Sequence, residues 1–193
     1  MESVRAVEKR VAKKKQVYKP ILDNPYTNEA ELWPHVREQG VVVELLLNAV
    51  LRPLRHAREL GGTPPFEVHT GYNDVMERLG RVDSGAALLF VCTRDTTPAV
   101  LLSQVPLAAH VSAMDVTVVQ LPSGTLARFD EHLSGTPHDG LLLVPETAAV
   151  DAAFVQKVRA SVEQRDIPWL EPLRYKKAPV KLLRTVMPLR STK

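Results

Sequence analysis

The apolar positions along the chain fall into short, separate runs. Tyr72, Val75, Met76 and Leu79 recur at helical spacing, with Asn73, Asp74, Glu77 and Arg78 on the opposite face. Thr70 stands where a hydroxyl caps such a helix. Ala86–Cys92 is a continuous apolar run and Val116–Leu121 a second, richer in β-branched residues. Both read as strands covered on two faces. Between them a helical segment, which Pro98 can open and Pro106 splits into a longer piece at Leu107–Met114, completes a strand–helix–strand pattern.

The flanking segments extend this pattern. Val41–Leu60 is the longest helical stretch, with Leu45, Leu46, Ala49 and Val50 on one face. Pro53 predicts a kink or a division there. Arg52, Arg55, His56 and Arg58 crowd its end, where cations complement the helix dipole or meet RNA. Gly61–Pro65 is a break, and Phe66–His69 a short strand. Further on come a helix at Gly124–His132, a loop at Ser134–Gly140 and a strand at Leu141–Val144. Asp151–Gln164 is an amphipathic helix that turns Phe154, Val155, Val158 and Val162 inward. Val4–Tyr18 is helix-compatible with a thin stripe of Val4, Val7, Val11 and Lys15, Lys19–Tyr26 is an extended linker, and Asn28–Val36 a short helix limited by Pro34. Trp33 there is a core anchor or an interface residue. Val180–Leu183 reads as an edge strand. The expected fold is α/β: a three-layer α/β/α sandwich around a small mixed sheet over residues 41–166. A basic arm and linker (1–40) and a basic extension (167–193) flank it.

Composition changes this picture little, and charge changes it more. With 193 residues and 45% hydrophobic content the chain can bury one sizeable core, and 5% aromatic content leaves Leu, Val and Ala to fill it. The lone Cys92 permits neither an internal disulfide nor a multi-cysteine zinc site. No apolar run approaches the roughly 18 residues of a membrane span. The N-terminus has no signal-type apolar stretch, so a soluble intracellular protein is expected. The net charge of +3 conceals an asymmetry: Met1–Pro20 and Glu171–Lys193 each hold seven basic residues against very few acids, leaving the middle acidic. Basic ends on an acidic body suit a polyanion such as nucleic acid, although a solvated surface or an import signal would read the same.

Catalytic signatures are missing. The six histidines have no metal-ligand spacing, and no glycine-rich phosphate loop or nucleophile elbow occurs. No cofactor or metal is expected. A small-molecule enzyme on a Rossmann-like sheet would have to use Thr93–Thr97, with Arg94 and Asp95, as its crevice. The better site is the loop–helix junction at Gly71. Glycine lets a backbone approach a ligand closely, and a helix N-terminus offers free N–H groups. Asn73 can donate and accept, and Asp74 can accept from a base amino group. The same residues are also ordinary turn and helix-start residues.

Gly71-x-Asn73-Asp74 opening a helix, then an apolar strand, a Val105-Pro106-Leu107 helix and a strand ending at Pro122, resembles the kink-turn-binding ribosomal-protein superfamily. The segments Gln16–Ala30 and Val180–Thr185 are similar to one branch of it: the fungal third "processing of precursor RNA" subunits of nuclear ribonuclease P and ribonuclease MRP. The resemblance implies a non-catalytic RNA-binding subunit that supports transfer-RNA 5′ leader removal and ribosomal-RNA precursor processing. It implies RNA and other protein subunits as partners, no membrane, and residence in the nucleus and nucleolus. The RNA contacts expected are Gly71, Tyr72, Asn73, Asp74 and Arg78 at the junction, Arg94, and Ser134 and His138 in a second loop. Lys9, Arg10, Lys13, Lys14, Lys15, Lys176 and Lys177 in the basic ends are expected to join them. Two positions depart from the superfamily: Thr70 replaces a basic residue, and Glu77 stands where a lysine is usual. An acid there repels phosphate, which moves the expected affinity onto the basic ends and protein partners. A ribosomal or small-nucleolar kink-turn-binding protein is the neighbouring alternative.

Overall fold

The strongest apolar runs become the strands of one mixed sheet. The structure is a computed structural model that describes residues 14–22, 32–82, 84–95, 102–163, 165, 167 and 180–188. In chain order, β1 (Lys14–Leu22) and β2 (His35–Val36) precede α1 (Gln39–Leu46), which continues through a π turn at Leu47–Leu51 into α2 (Arg52–Glu59). Next come β3 (His69–Thr70), α3 (Tyr72–Leu79), β4 (Ala86–Val91), α4 (Val105–Val111) and β5 (Asp115–Gln120). Then follow α5 (Thr125–His132), β6 (Leu141–Pro145), α6 (Ala152–Ser161), β7 (Val162–Glu163) and β8 (Val180–Pro188).

The main sheet has the order β3-β6-β4-β5. β4 and β5 are parallel, from Ala86 opposite Asp115 to Val91 opposite Gln120. β6 runs antiparallel along the other side of β4, and β3 antiparallel to β6. Alternation along β4 divides the core. Leu88, Phe90 and Cys92 join the cluster made with Leu46, Val50, Leu54, Phe129 and Phe154. Ala87, Leu89 and Val91 join Val75, Leu79, Val105 and Ala109 on the opposite face. β6 divides the same way, Leu142 and Val144 against Leu141 and Leu143. Helices therefore cover both faces, giving the expected three layers, and this is why the strand sequences are apolar without alternation. Each Val, Leu or Phe side chain among them contributes about 1.5–3 kcal/mol on burial. Trp33 lies in the second cluster and is a core residue.

Several elements differ from the sequence reading. Pro53 does not divide the long helix: it sits at the start of α2, directly after the π turn. Proline cannot donate to the preceding turn, and the π turn at Leu47–Leu51 stands where that bond is missing. Helix α6 stops at Ser161, because Val162–Glu163 turn away as β7 to pair with β2. The largest correction is at the N-terminal side. Residues 14–18, read as helix, are extended, and β1 pairs antiparallel with β8 over nine residues each, from Lys14 opposite Pro188 to Leu22 opposite Val180. β8 is correspondingly longer than the edge strand expected at Val180–Leu183. The β1–β8 ribbon belongs to one compact unit and the sandwich to another. The expected helix over 4–13, the linker beyond Leu22 and the helix start at Pro98 lie outside the described residues.

Candidate nucleic-acid interface

Strand register brings the candidate loops to one end of the sheet. The C-terminal end of β4 lies beside the start of β6, since Val91 pairs with Leu141. Thr70, the last residue of β3, pairs with Leu142 at that same end. The Gly71 junction, the loop 134–140, the turn 93–95 and the segment 122–124 therefore share one rim. Backbone bonds tie them together: Cys92 N–H donates to Gly140 O at 2.8 Å, and Gly71 N–H donates to His138 O at 3.2 Å.

Gly71 is the N-cap of α3, with φ 79° and ψ 155°. A Cβ there would lie 3.3 Å from Pro137 O and 3.4 Å from Asp139 Oδ2, so glycine is required both by conformation and by close packing of the second loop. Thr70 does not cap the helix. Asp139 does so from across the rim: its Oδ2 accepts from Tyr72 N–H at 3.0 Å. Asp139 itself adopts φ 47°, which aspartate tolerates better than most residues. Tyr72 is half-buried, while Asn73 and Asp74 are exposed. Asp74 Oδ2 lies 3.2 Å from His69 Nδ1, and His69 Nε2 is 3.1 Å from Glu67 Oε1 in an ion-pair contact without hydrogen-bond geometry. Arg78 is half-buried on the same helix. Glu77 is paired with Arg81 at 2.8 Å, one helical turn on.

The second loop is held from both sides. Arg58, at the end of α2, donates to Ser134 O at 2.6 Å and to His132 O at 2.8 Å, and its Nη2 is 3.4 Å from Ser134 Oγ. Arg55 beside it reaches Glu131 at 3.2 Å. Arg58 thus serves the neighbouring α5 by satisfying carbonyls at that helix's C-terminal end, and Arg55 by pairing with a carboxylate in its last turn. Ser134 is exposed, whereas the His138 ring is turned inward and its side chain is 12% exposed. Its Nδ1 accepts from Gly140 N–H at 3.2 Å, which leaves a neutral ring's proton on Nε2, 3.2 Å from Asp130 Oδ1. The ring also meets the edge of Phe129 at 5.8 Å between centroids.

Arg94 is exposed in the turn after β4. Asp95 beside it is committed to α5, accepting from Gly124 N–H at 2.8 Å, Leu126 N–H at 3.0 Å and Ser123 Oγ–H at 2.8 Å. Burial alone would raise its carboxyl, but the donors from Leu126, Gly124 and Ser123 together hold it below the usual range. Two helix N-termini on this rim therefore already carry a carboxylate. Among the described residues the rim presents the exposed amide of Asn73 and the carboxylate of Asp74, groups that can accept from N–H donors, together with the exposed Arg94. Burial, reinforced by Asp95 and Asp130, pushes the Cys92 thiol up to about 12, so it stays protonated and inert beneath the rim. Lys14 and Lys15 lie in β1, away from this loop set in sequence. Lys9, Arg10, Lys13, Lys176 and Lys177 are outside the described residues. Sequence reasoning missed Asp139, Asp95 in its capping role and Arg58 as a loop clamp. Asp139-Gly140 is a recognisable turn pair, but nothing local tells which helix its carboxylate will reach.

Two concavities open at the other end of the sheet, one of about 160 Å³ beside Pro34, Pro106, His110 and Met114, and one of about 360 Å³ beside Met76, Leu79, Val82 and Val111. Neither shares the polar loops.

A mixed-sheet sandwich that gathers polar loops around a glycine-opened helix has the make-up of a binding domain. Comparison with known proteins makes the assignment specific. The sequence profile of the RNase P subunit Pop3 family matches residues 13–172. The chain is also 36% identical over 194 residues to the Ribonucleases P/MRP protein subunit POP3 of Saccharomyces cerevisiae (strain ATCC 204508 / S288c), covering 99% of this chain and 97% of that protein. The chain belongs to the RNase P subunit Pop3 family.

Proposed function

We propose that the chain is a non-catalytic, RNA-binding protein subunit of nuclear ribonuclease P and ribonuclease MRP. In that role it supports transfer-RNA 5′ leader removal and ribosomal-RNA precursor processing, in the nucleus and nucleolus, alongside other protein subunits. The observation that carries the RNA contact is the convergence of the Gly71 junction and the loop 134–140 on one rim, with Asn73 and Asp74 exposed beside them. Asn73 and Asp74 would read base edges, with Arg78 and Arg94 flanking. Gly71 and Tyr72 would shape the junction, and Ser134 and His138 would hold the second wall. The basic ends, from Lys9 to Lys15 and at Lys176 and Lys177, would supply the attraction to phosphate that the acidic rim lacks.

Sequencing the RNA that accompanies the native protein tests the assembly. The RNAs of ribonuclease P and MRP are expected; recovery of ribosomal RNA alone, or of none, would overturn the reading. The rim is tested by Asn73→Ala with Asp74→Ala. Both side chains face away from the core, so the fold should persist while RNA affinity falls by about 1–3 kcal/mol for each base edge no longer read. Parental affinity in the double variant would remove the rim from the site.

A further inference from the structure

The β1–β8 ribbon is a two-stranded sheet, and its two faces differ. Directly opposed residues of an antiparallel pair project to the same side. Lys15, Lys19 and Lys181 project to one face, where they break up Ile21, Leu183 and Met187, 43–57% exposed. The other face sets Tyr18 opposite Arg184, Pro20 opposite Leu182 and Gln16 opposite Val186, with Val180 at its end. On that second face Tyr18 is 57% exposed, Val180 58%, Leu182 65% and Val186 56%. A lone two-stranded ribbon is marginal in water, and bare aliphatic rows on it require a cover. RNA cannot supply that cover: it stacks bases on aromatic rings and binds cations through phosphate, and it leaves Val180, Leu182 and Val186 without a partner surface. Arg184, in the middle of that second face, has no acid within either strand, so a surface complementary to it is acidic.

We infer that the Tyr18/Leu182/Val186 face of the ribbon docks on a protein subunit of the same ribonucleoprotein, one presenting an apolar strip with carboxylates beside it to receive Arg184. This rests on the subunit reading above. The test uses the particle reconstituted from its RNA and protein subunits with the full chain. A photo-reactive phenylalanine analogue placed at Leu182 is expected to cross-link to a peptide of another protein subunit. Cross-linking to RNA, cross-linking within this chain, or no cross-link in an assembled particle would overturn the inference. In parallel, Leu182→Ser with Val186→Ser is expected to lower incorporation into the particle by at least about tenfold, the effect of removing two covered aliphatic side chains. The double variant's affinity for the free RNA should stay within about twofold of the parent's, because the lysines are retained. Loss of RNA affinity with incorporation unchanged would place RNA on this face instead. If the parent chain itself failed to join the particle, the subunit reading would fall.

Discussion

At the scale of single residues, Gly71 and Thr117 test opposite sides of the packing argument. Gly71 holds a positive φ and carries the second loop against the place a Cβ would occupy. Gly71→Ala is expected to cost about 1–3 kcal/mol of stability, the range for a strained backbone position, and to displace Pro137 and Asp139. Urea unfolding measures the first effect and amide exchange at Tyr72, whose N–H bonds Asp139, the second. Thr117 is 2% exposed in β5 and its Oγ1 has no hydrogen-bond partner among the described residues. Replacing it by the isosteric valine removes a buried hydroxyl that has no bond to lose. Thr117→Val should therefore raise stability by about 1 kcal/mol, and a loss of stability instead would reveal a partner for that hydroxyl.

At the scale of elements, the rim is built by side chains that cap helices they do not belong to. Asp95 follows β4 but caps α5, and its carboxyl lies below the usual range. A group whose pKa is lowered on folding contributes stability that is fully present above the unfolded-state carboxyl value and is lost as pH falls through the lowered one. Asp95→Asn should thus be less stable than the parent at neutral pH, by about 1 kcal/mol for a missing cap, and the difference should shrink in acid. A pH series of denaturant midpoints reads both. The same elements mark what was legible in sequence. α3, α6, β4, β5 and β6 were readable because their apolar periodicity or continuity reports burial, which these residues undergo wherever the rest of the chain goes. β1 was not readable: Val17, Tyr18 and Ile21 show no strand alternation, and their extended form depends on a partner near the far end of the sequence. The caps were hidden for the same reason. Thr70 was the local candidate, and the group that caps α3 arrives from Asp139. The junction itself was legible through Gly71 and the residues after it, whereas its neighbourhood was set by strand register.

At the scale of the whole molecule, charge is divided between an acidic rim and a basic ribbon. Removing Met1–Pro20 would delete most of β1 and strip β8 of its partner, so charge substitution is the cleaner probe. Lys15→Gln with Lys19→Gln keeps the ribbon's pairing and removes two cations from one face. RNA affinity should fall, and the log–log salt slope should lessen by roughly 0.7–0.9 for each phosphate no longer neutralised. An unchanged slope would assign that face to a protein. The pairing of Leu22 with Val180 has one more consequence, which lies in time. During synthesis β1 leaves the ribosome before β8 and must wait, unpaired, until residues 180–188 have been made. Closing so long a loop adds little entropy cost beyond that of a moderate one, but it cannot begin early. A nascent or truncated chain that stops before Val180 has no ribbon to offer, so a partner that reads the ribbon meets it only after residues 180–188 have been made.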